Sequence, residues 1–284
     1  MKKTFKLLSF TLILTLIAGV FLFTGCEKVE KDGKDNSFKA IKDKGEMVIG
    51  VDDEFAPMGF KDKDGNLVGF DIDLAKLVCK KLGVKAKIKA IPWDTKEIQL
   101  QSGDIDAIWN GYTITSERNG KVEFSKPYMN NQQVVAVLDK SSFKSTKDLA
   151  GKVMGTQVES AGLEALKADK ELGKNKIKSY DTYQDALLDL ETSGNNAVVI
   201  DKVYIGYAMQ QKAGVFRVLP ETLSDELYGI VFKKGNIKLR KAVDKALDEL
   251  YSDGSVEKIS KEWFGENIVV RNIKKQSSKD LKNN

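Results

Sequence analysis

The stretch DIDAIWNGYTITSER, residues 104–118, joins a short apolar strand to a polar turn and an arginine. Its first five residues have strand character, and Asn110, Gly111 and Thr113 follow where the chain must leave the sheet. Backbone donors and acceptors at such a point have no regular partner in a β-ladder, so they need a ligand or water. The stretch therefore predicts a sheet edge that can hold a small polar molecule.

The arginine that ends this stretch is the candidate anion-binding group. Thr115 is expected to cap a helix that begins at Ser116, which places Arg118 on the first turn. A guanidinium in that position can bind a carboxylate in a bidentate manner. An ordinary strand, turn and helix with Arg118 on a solvated face fits the same residues, so the rest of the chain has to decide.

Strands and helices alternate on both sides of this stretch. In the first block, MVIGV at 47–51 precedes an amphipathic helix from about Asp71 to Leu82, and KAKIKAI follows at 85–91. A second block with the same pattern runs from about Val134 to Leu219. This alternation predicts an α/β fold. Its length exceeds the usual size of one core, so we expect two lobes with a ligand cleft between them.

The two ends of the chain differ from the part between them. Residues 1–25 combine three lysines with an apolar run and lead to Cys26. This pattern predicts a secretory signal peptide, and an uncleaved membrane anchor is the alternative because the apolar run is near the minimum for a spanning helix. Residues 26–37 are charged and non-periodic, which suits a flexible tether, and the basic residues 271–284 are expected to form a disordered tail.

The composition excludes several classes of function. The net charge of +5 divides into +3 in residues 1–25, +4 in residues 271–284 and −2 in the remainder, so the folded part has no electrostatic footprint for nucleic acid. Histidine is absent, which removes the commonest general base and zinc ligand, and we expect no metal or cofactor. Cys79 lies in a helical pattern and is expected to be a small core residue.

Several dispersed motifs resemble those of a known family. In chain order they are VDDEFAPMGF at 51–60, GFDIDLAK at 69–76, SGDIDAIWNGYTITSER at 102–118, FSKPY at 124–128, DLAGKVMGTQ at 148–157, VVIDK at 198–202 and DGSVEKISKEWFG at 253–265. Together they are similar to the polar amino-acid-binding proteins of ABC importers, solute-binding family 3, which have the type II periplasmic-binding fold. FTGC at 23–26 likewise resembles the lipobox of bacterial lipoproteins, in which the cysteine is acylated and becomes the N-terminus.

The resemblance implies an organisation for the whole chain. It places residues 38–131 and 227–270 in lobe 1 and residues 132–226 in lobe 2, with two crossovers between the lobes. It also implies a monomer that is held by a lipid on Cys26 at the outer face of the cytoplasmic membrane. Such a protein binds a free amino acid and delivers it to the transmembrane subunits of an ABC permease.

The resemblance further implies a site for the carboxylate of an α-amino acid. It assigns Arg118, the amide of Thr113, and amides at a helix start in lobe 2, at Ser160 and Ala161. These amides suit an anion because free N–H groups and the helix dipole both favour negative charge. Ser160 could instead be a simple helix N-cap, and Glu159 stands where many relatives have glycine.

For the ligand ammonium group, the resemblance assigns Asp201 together with the carbonyl of Gly111 and the hydroxyl of Thr113. Asp201 ends the strand VVID, and ligands of α/β sheets bind outside the C-terminal ends of the strands. The alternative role of Asp201 is to cap the helix that begins at Lys202, and the two roles are compatible.

Further positions surround the ligand side chain in the family. Phe55 and Trp93 flank it, although either could be a core residue. Asp52 corresponds to a position that pairs with a polar or basic terminus, which favours arginine, lysine, histidine or glutamine over leucine-like ligands. Asn110 stands where relatives often have a small hydroxyl residue and affects the size of the pocket. The choice among these amino acids and cystine stays open.

Two acidic motifs have a simpler structural interpretation. Asp71 and Asp73 are two residues apart at a helix start and cannot face each other as a carboxylate dyad, so we expect Asp71 to cap the helix. The segment KDKDGNLVGF predicts a β-hairpin with its turn at Asp64 and Gly65. It lacks the glutamate that closes an EF-hand, so a turn is preferred over a calcium loop.

The sequence thus predicts a receptor that closes two lobes around a zwitterionic amino acid. An enzyme on the same fold, similar to cyclohexadienyl dehydratases, is the main alternative, and it would need an acid or base from among Asp52, Glu159 and Asp201. A ligand-sensing domain is a further alternative, which we favour less because no signalling segment follows residue 284.

Overall fold

The computed structural model describes residues 35–270. They form thirteen strands, β1 to β13 in chain order: Glu46–Val51, Glu54–Phe55, Gly59–Lys61, Leu67–Val68, Lys85–Ala90, Ala107–Ile108, Val122–Phe124, Met129–Leu138, Val153–Gln157, Lys176–Tyr180, Ala197–Asp201, Phe216–Tyr228 and Val231–Lys233. They also form eight α-helices, α1 to α8: Ser37–Lys44, Phe70–Leu82, Lys96–Ser102, Ala161–Ala168, Tyr183–Glu191, Lys202–Gln211, Ile237–Ser252 and Ser255–Phe264. Within residues 35–270, none of the helices has the length and apolar character that crossing a membrane requires. The predicted signal peptide, Cys26, most of the tether and the basic tail lie outside the described residues.

The first sheet has the strand order β5-β1-β6-β13-β7. β1 is parallel to β5 and β6, whereas β13 is antiparallel to β6 and β7. Helices α2, α7 and α8 pack against one another beside this sheet, and α2 also contacts β5. Cys79 on α2 is fully buried in this core, as predicted.

The second sheet has the strand order β10-β9-β11-β8-β12. β9 is parallel to β10 and β11, whereas β8 is antiparallel to β11 and β12. Helices α4, α5 and α6 pack against this sheet. The C-terminal ends of β9 and β11 therefore lie close together, and each leads into a polar segment.

Two long strands connect the sheets. β8 and β12 pair along their length, and their pairing ends where Met129 lies opposite Tyr228. There they reach the first sheet, because Thr113, in the loop after β6, forms an antiparallel bridge with Tyr228. The α/β fold with two sheets and two crossings is as predicted. The predicted lobe boundaries at 131/132 and 226/227 fall inside β8 and β12 and stay a prediction.

A cluster of buried aromatic rings lies where the crossing strands meet the first sheet. The ring of Tyr128 is 6.4 Å from Phe70, 6.5 Å from Trp109 and 6.4 Å from Tyr228, measured between centroids. All four side chains are fully buried. Burying each large ring contributes about 1.5–3 kcal/mol, so this cluster fixes helix α2, the loop after β6 and both crossing strands relative to one another.

The predicted hairpin is present between β3 and β4. Lys61 pairs with Leu67, and the carboxylate of Asp62 accepts hydrogen bonds from the amides of Asp64 at 2.9 Å and Asn66 at 2.8 Å. This is an Asx-type turn, in which a short acidic side chain satisfies backbone donors that no strand can reach.

Candidate functional site

The loop after β6 approaches the crossing strands through Gly111. The backbone at Gly111 has φ +57°, and its amide donates a hydrogen bond to Oδ2 of Asp71 at 2.7 Å. A Cβ at this position would lie 2.9 Å from the ring of Phe55 and 3.2 Å from that of Tyr228. Only glycine therefore meets both the left-handed backbone and the close approach of the two rings.

The predicted helix at Ser116 is absent. Residues 116–121 form consecutive turns, although the hydroxyl of Thr115 accepts a hydrogen bond from the amide of Arg118 at 3.3 Å, as an N-cap would. The side chain of Arg118 folds back, is only 5% exposed, and donates from Nη1 to the carbonyl of Thr113 at 3.2 Å. Burial of this side chain outweighs the local preference for a helix.

The guanidinium of Arg118 reaches the second sheet's side of the molecule. Its Nη2 lies 2.7 Å from Oε1 of Glu164 on α4 and donates to the carbonyl of Glu159 at 3.4 Å. The guanidinium also stacks over the ring of Tyr112, at 4.5 Å from its centroid. Arg118 is therefore a buried cation that pairs with a carboxylate across the gap between the two sheets.

The start of α4 lies directly beside this contact. Ser160 is its N-cap: the hydroxyl accepts from the amide of Leu163 at 3.0 Å and donates to the carbonyl of Gln157 at 2.7 Å. Ala161 is the first helical residue and is buried. The capping role considered for Ser160 is therefore correct, and it holds the positive end of the helix dipole near Arg118 and Glu159.

Asp201 occupies the last position of β11 and is buried. It stands at the N-cap position of α6 but makes no capping hydrogen bond. Its Oδ1 instead accepts from the hydroxyl of Tyr228 and from Nδ2 of Asn131, each at 2.6 Å. Both donors lie on the crossing strands, so Asp201 faces the gap rather than its own helix.

Glu226 on β12 is a site residue that the sequence did not reveal. Its Oε2 accepts from the hydroxyl of Thr113 at 3.0 Å, from Asn131 Nδ2 at 3.1 Å and from Gln133 Nε2 at 3.0 Å. Burial, followed by the nearby carboxylate of Asp201, raises the pKa of Glu226 to about 7. The polar run NNQQ at 130–133, which opens β8 before its apolar half, is the signal that could have indicated a polar region there, because residues 131 and 133 lie on the same face of a strand.

These contacts form one continuous chain. Arg118 bonds to the backbone of Thr113, the hydroxyl of Thr113 bonds to Glu226, and Glu226 shares the amide of Asn131 with Asp201. The structure thus brings the predicted basic group, the loop after β6 and the predicted acidic group together.

A cavity of about 420 Å³ is lined by the loop after β1, by residues 90–94, and by Val158, Asp181 and Thr182. Asp52 borders it, accepts a hydrogen bond from Nε2 of Gln157 at 2.7 Å, and has its pKa raised to about 6 by burial. Trp93 also borders this cavity and at the same time packs in a hydrophobic cluster, so the core interpretation of Trp93 is correct in part. The carboxylates that line the cavity are those of Asp52, Asp53, Asp94 and Asp181.

The two predicted aromatic residues lie on different sides of the site. The ring of Phe55 is 5.4 Å from that of Tyr204 and 6.0 Å from that of Tyr183. The ring of Trp93 is 5.8 Å from that of Tyr112, the same ring that supports the guanidinium. Trp93 therefore adjoins the ring that supports Arg118, and Phe55 adjoins Tyr183, which lies beside Asp201.

Lys96 is a second buried cation that the sequence did not single out. Its Nζ donates to the carbonyls of Trp93 and Glu159, each at 3.0 Å, and lies 4.9 Å from the centroid of the Trp93 ring. Burial, and then the charge of Arg118, lower its pKa to about 8. Lys96 therefore adds a further link between the first sheet's side and the segment before α4.

Asn110 is placed differently from the other predicted residues. It is 1% exposed, and neither polar atom of its side chain has a hydrogen-bond partner within residues 35–270. Its Oδ1 lies against Gly59, because a Cβ built on that glycine would be 2.2 Å away. The structure therefore packs Asn110 against β3.

The expected capping role of Asp71 is wrong. The N-cap of α2 is Gly69, without a side-chain capping bond, and Asp71 is fully buried. Its Oδ2 accepts from the amide of Gly111 at 2.7 Å and from the hydroxyl of Tyr128 at 2.9 Å. Asp71 thereby ties the loop after β6 to the segment that enters β8, and burial raises its pKa to about 7.

The chain is similar to proteins of one family. A model of the bacterial extracellular solute-binding proteins, family 3, matches residues 47–266. The L-cystine-binding protein TcyJ of Escherichia coli (strain K12) is 30% identical over 231 residues, which cover 81% of this chain and 86% of that protein. The ABC transporter glutamine-binding protein GlnH of Bacillus subtilis (strain 168) is 30% identical over 271 residues, which cover 94% and 98%.

The chain is also similar to a solved structure of a binding protein. An ABC uptake transporter substrate-binding protein from Streptococcus pneumoniae with bound histidine is similar to this chain with a TM-score of 0.80 at 36% identity. The similarity covers 83% of this chain and 98% of that one. The predicted two-lobed α/β fold is thereby confirmed.

The raised pKa of the buried Asp71 carboxyl predicts how the unfolding free energy depends on pH. A carboxyl whose folded pKa is raised binds its proton more tightly in the folded protein than in the unfolded chain. Its contribution to stability is therefore lost as pH rises from about 4 to about 7. We expect Asp71→Asn to flatten the pH dependence of the unfolding free energy in this range by on the order of a few kcal/mol, measured by urea denaturation. Asp73→Asn, on the same helix, is the control, and equal slopes for wild type and Asp71→Asn would contradict the prediction.

Proposed function

The chain belongs to family 3 of the bacterial extracellular solute-binding proteins, and we propose that it is the amino-acid-binding component of an ABC importer. In this proposal a zwitterionic amino acid binds between the two lobes, with its carboxylate at Arg118 and its ammonium group at Asp201. Gly111 and Thr113 contribute from the loop after β6, and Ser160 with Ala161 from the start of α4. The closed protein then delivers the amino acid to the transmembrane subunits of the permease.

The continuous chain of contacts from Arg118 to Asp201 carries this proposal. It presents the buried cation of Arg118 at one end, and at the other end the buried carboxylate of Asp201 with the partly buried carboxylate of Glu226. A zwitterion contacts both ends at once, whereas a molecule with one charge contacts only one of them and gains only part of the binding free energy. The gap therefore favours α-amino acids over simple carboxylates or amines.

We propose lobe boundaries at residues 131/132 and 226/227, inside β8 and β12. Several contacts support a closed arrangement of these lobes, since Arg118 pairs with Glu164 and Asp52 with Gln157 across the boundary. Closure is then a population shift that a ligand drives by contacting both lobes.

Binding without turnover is the proposed activity, and the protein is proposed to act as a monomer. The matched relatives are named as binding proteins, and this supports binding over the dehydratase-like alternative. Incubating the protein with an amino-acid mixture and analysing it by mass spectrometry separates the two, because new products formed in catalytic amounts would rule out simple retention.

We also propose that a lipid on Cys26 holds the protein at the outer face of the cytoplasmic membrane. Expressed in a bacterium, the wild type should partition into the detergent phase of a Triton X-114 extract. Cys26→Ser should move it to the aqueous phase, because the thiol that accepts the lipid is gone. Cys79→Ser, which alters a buried core cysteine, is the control and should stay with the detergent. A wild-type protein found in the aqueous phase would overturn the proposed anchor.

Arg118→Ala tests the carboxylate subsite. We expect it to weaken binding of the cognate amino acid by about 2–5 kcal/mol, the range for truncating one partner of a buried charge pair, measured by titration calorimetry. Arg217→Ala is the matched control, because Arg217 lies on β12 and donates to the carbonyl of Ser141 at 3.2 Å, remote from Arg118 in the hydrogen-bond network. Unchanged affinity in Arg118→Ala would remove this residue from the site.

Asp52→Asn tests the proposed contact with the ligand side chain. Hydrogen bonds to a charged group contribute about 1.5–3 kcal/mol, so arginine or lysine should lose about that much affinity and glutamine clearly less. Asp94 is an exposed residue that lines the same cavity, so Asp94→Asn is the control. It should change the ratio of the affinities for arginine and glutamine little. Equal losses of affinity for arginine and glutamine would show that Asp52 does not distinguish a charged ligand side chain from a neutral one.

A further inference from the structure

The buried carboxylate of Asp201 and the partly buried carboxylate of Glu226 share one hydrogen-bond donor. Nδ2 of Asn131 lies 2.6 Å from Oδ1 of Asp201 and 3.1 Å from Oε2 of Glu226. The two oxygens are therefore within about 6 Å of each other, which is close enough for each charge to oppose ionisation of the other. Glu226 also accepts bonds from Thr113 and Gln133, and its Oε1 accepts one from the hydroxyl of Ser224 at 3.1 Å, so four neutral donors fix its position.

The titratable and charged groups that face this pair do not neutralise it. Tyr228 donates its hydroxyl to Asp201, and Tyr183 on α5 lies beside the same carboxylate. Burial, and then the charge of Asp201, raise the pKa of both tyrosines well above 10, so both stay neutral phenols. Arg118, whose charge interacts with that of Glu226, already pairs with Glu164, and Lys202, next to Asp201 in the chain, donates its Nζ to Gln132 at 2.8 Å.

A separate observation supports a ligand group with several N–H donors beside the pair. Gln133 is 0% exposed, its Nε2 donates to Glu226, and its Oε1 has no hydrogen-bond partner within residues 35–270. A buried amide oxygen normally accepts a hydrogen bond, and leaving it without one costs about 1–3 kcal/mol. Oxygens of Asp201, Glu226 and Gln133 together offer three acceptors, the number of donors on a primary ammonium group.

We propose that Glu226 is a second ligand carboxylate, and that the Asp201–Glu226 pair holds one proton in the free protein and releases it to solvent when the ammonium group of the ligand binds. This inference rests on the proposed amino-acid-binding function. It makes Glu226 a specificity-determining residue, because the second carboxylate selects a full positive charge at the ligand nitrogen.

The direction of the pH effect follows from the charges. Burial raises the pKa of Asp201 and that of Glu226, the latter to about 7, so the pair keeps a proton near neutral pH. A bound ammonium group stabilises the charged form of both acids and drives that proton off. Affinity therefore rises with pH, and the dissociation constant should be about tenfold or more larger at pH 5 than at pH 8. Asp52, with a pKa of about 6, titrates in the same range, so the contribution of Glu226 must be isolated by substitution.

Titration calorimetry in buffers of different ionisation enthalpy, such as phosphate and Tris at pH 6.5, measures the released proton. For the wild type and the cognate amino acid, we expect the binding enthalpy to depend on the buffer, with up to about one proton released. Glu226→Gln should abolish most of this dependence and most of the change in affinity between pH 5 and pH 8. Asp225→Asn, the exposed neighbour on the same strand, is the control and should behave like the wild type.

Glu226→Asp serves where Glu226→Gln fails to fold, as judged by circular dichroism. It keeps the acid and should still release a proton, with weaker affinity because its carboxylate is one methylene further from Asn131 and Gln133. A wild type that binds no amino acid would overturn the proposed function itself. A wild type that binds with a buffer-independent enthalpy, or a Glu226→Gln variant with unchanged proton release, would overturn this inference alone.

Discussion

A guanidinium buried between two sheets is the constraint on which the rest of the site depends. Removing a charge from water costs several kcal/mol unless charged or polar groups replace the lost hydration. Arg118 receives them from both sides, from the carbonyl of Thr113 in its own loop and from the carboxylate of Glu164 on α4. Its charge is therefore fully matched only while the two sides are close together, which couples electrostatic matching to the arrangement of the lobes.

The carboxylates in the gap are also surrounded by polar groups, but these groups do not cancel their charge. Asp201 and Glu226 accept hydrogen bonds from amides and hydroxyls on β8, β12 and the loop after β6. Neutral donors stabilise a carboxylate but do not cancel its charge. The basic end is thus paired within the protein, whereas the acidic end keeps an excess of negative charge. In the proposed function, this asymmetry orients a zwitterion, with its ammonium group toward the crossing strands.

The sequence predicts those features that neighbouring residues determine. The alternation of strands and helices and the position of Asp201 at a strand end are local, and the structure has both. The bonds from Gly111 to Asp71 and from Thr113 to Glu226 join residues 40 and 113 positions apart. Residue types alone cannot indicate such pairs, because an aspartate near a helix start also suits a cap and a glutamate in a strand also suits solvent. Only the packed fold decides between these roles.

Contacts that join the lobes without a ligand determine how much a ligand must contribute to closure. The hydrogen bond between Asp52 and Gln157 contributes on the order of 1 kcal/mol. The ion pair of Arg118 with Glu164 contributes about as much, because Glu164 is partly exposed. Such contacts hold the closed form in balance with an open one rather than locking it. A ligand shifts this balance only by the difference in its affinity for the two forms. Under the proposed function, an amino acid that bridges Arg118 and Asp201 supplies that difference, whereas a molecule that lacks one charged end contacts one lobe and leaves the balance unchanged. On that proposal, the free energy that selects a zwitterion is also the free energy that closes the lobes.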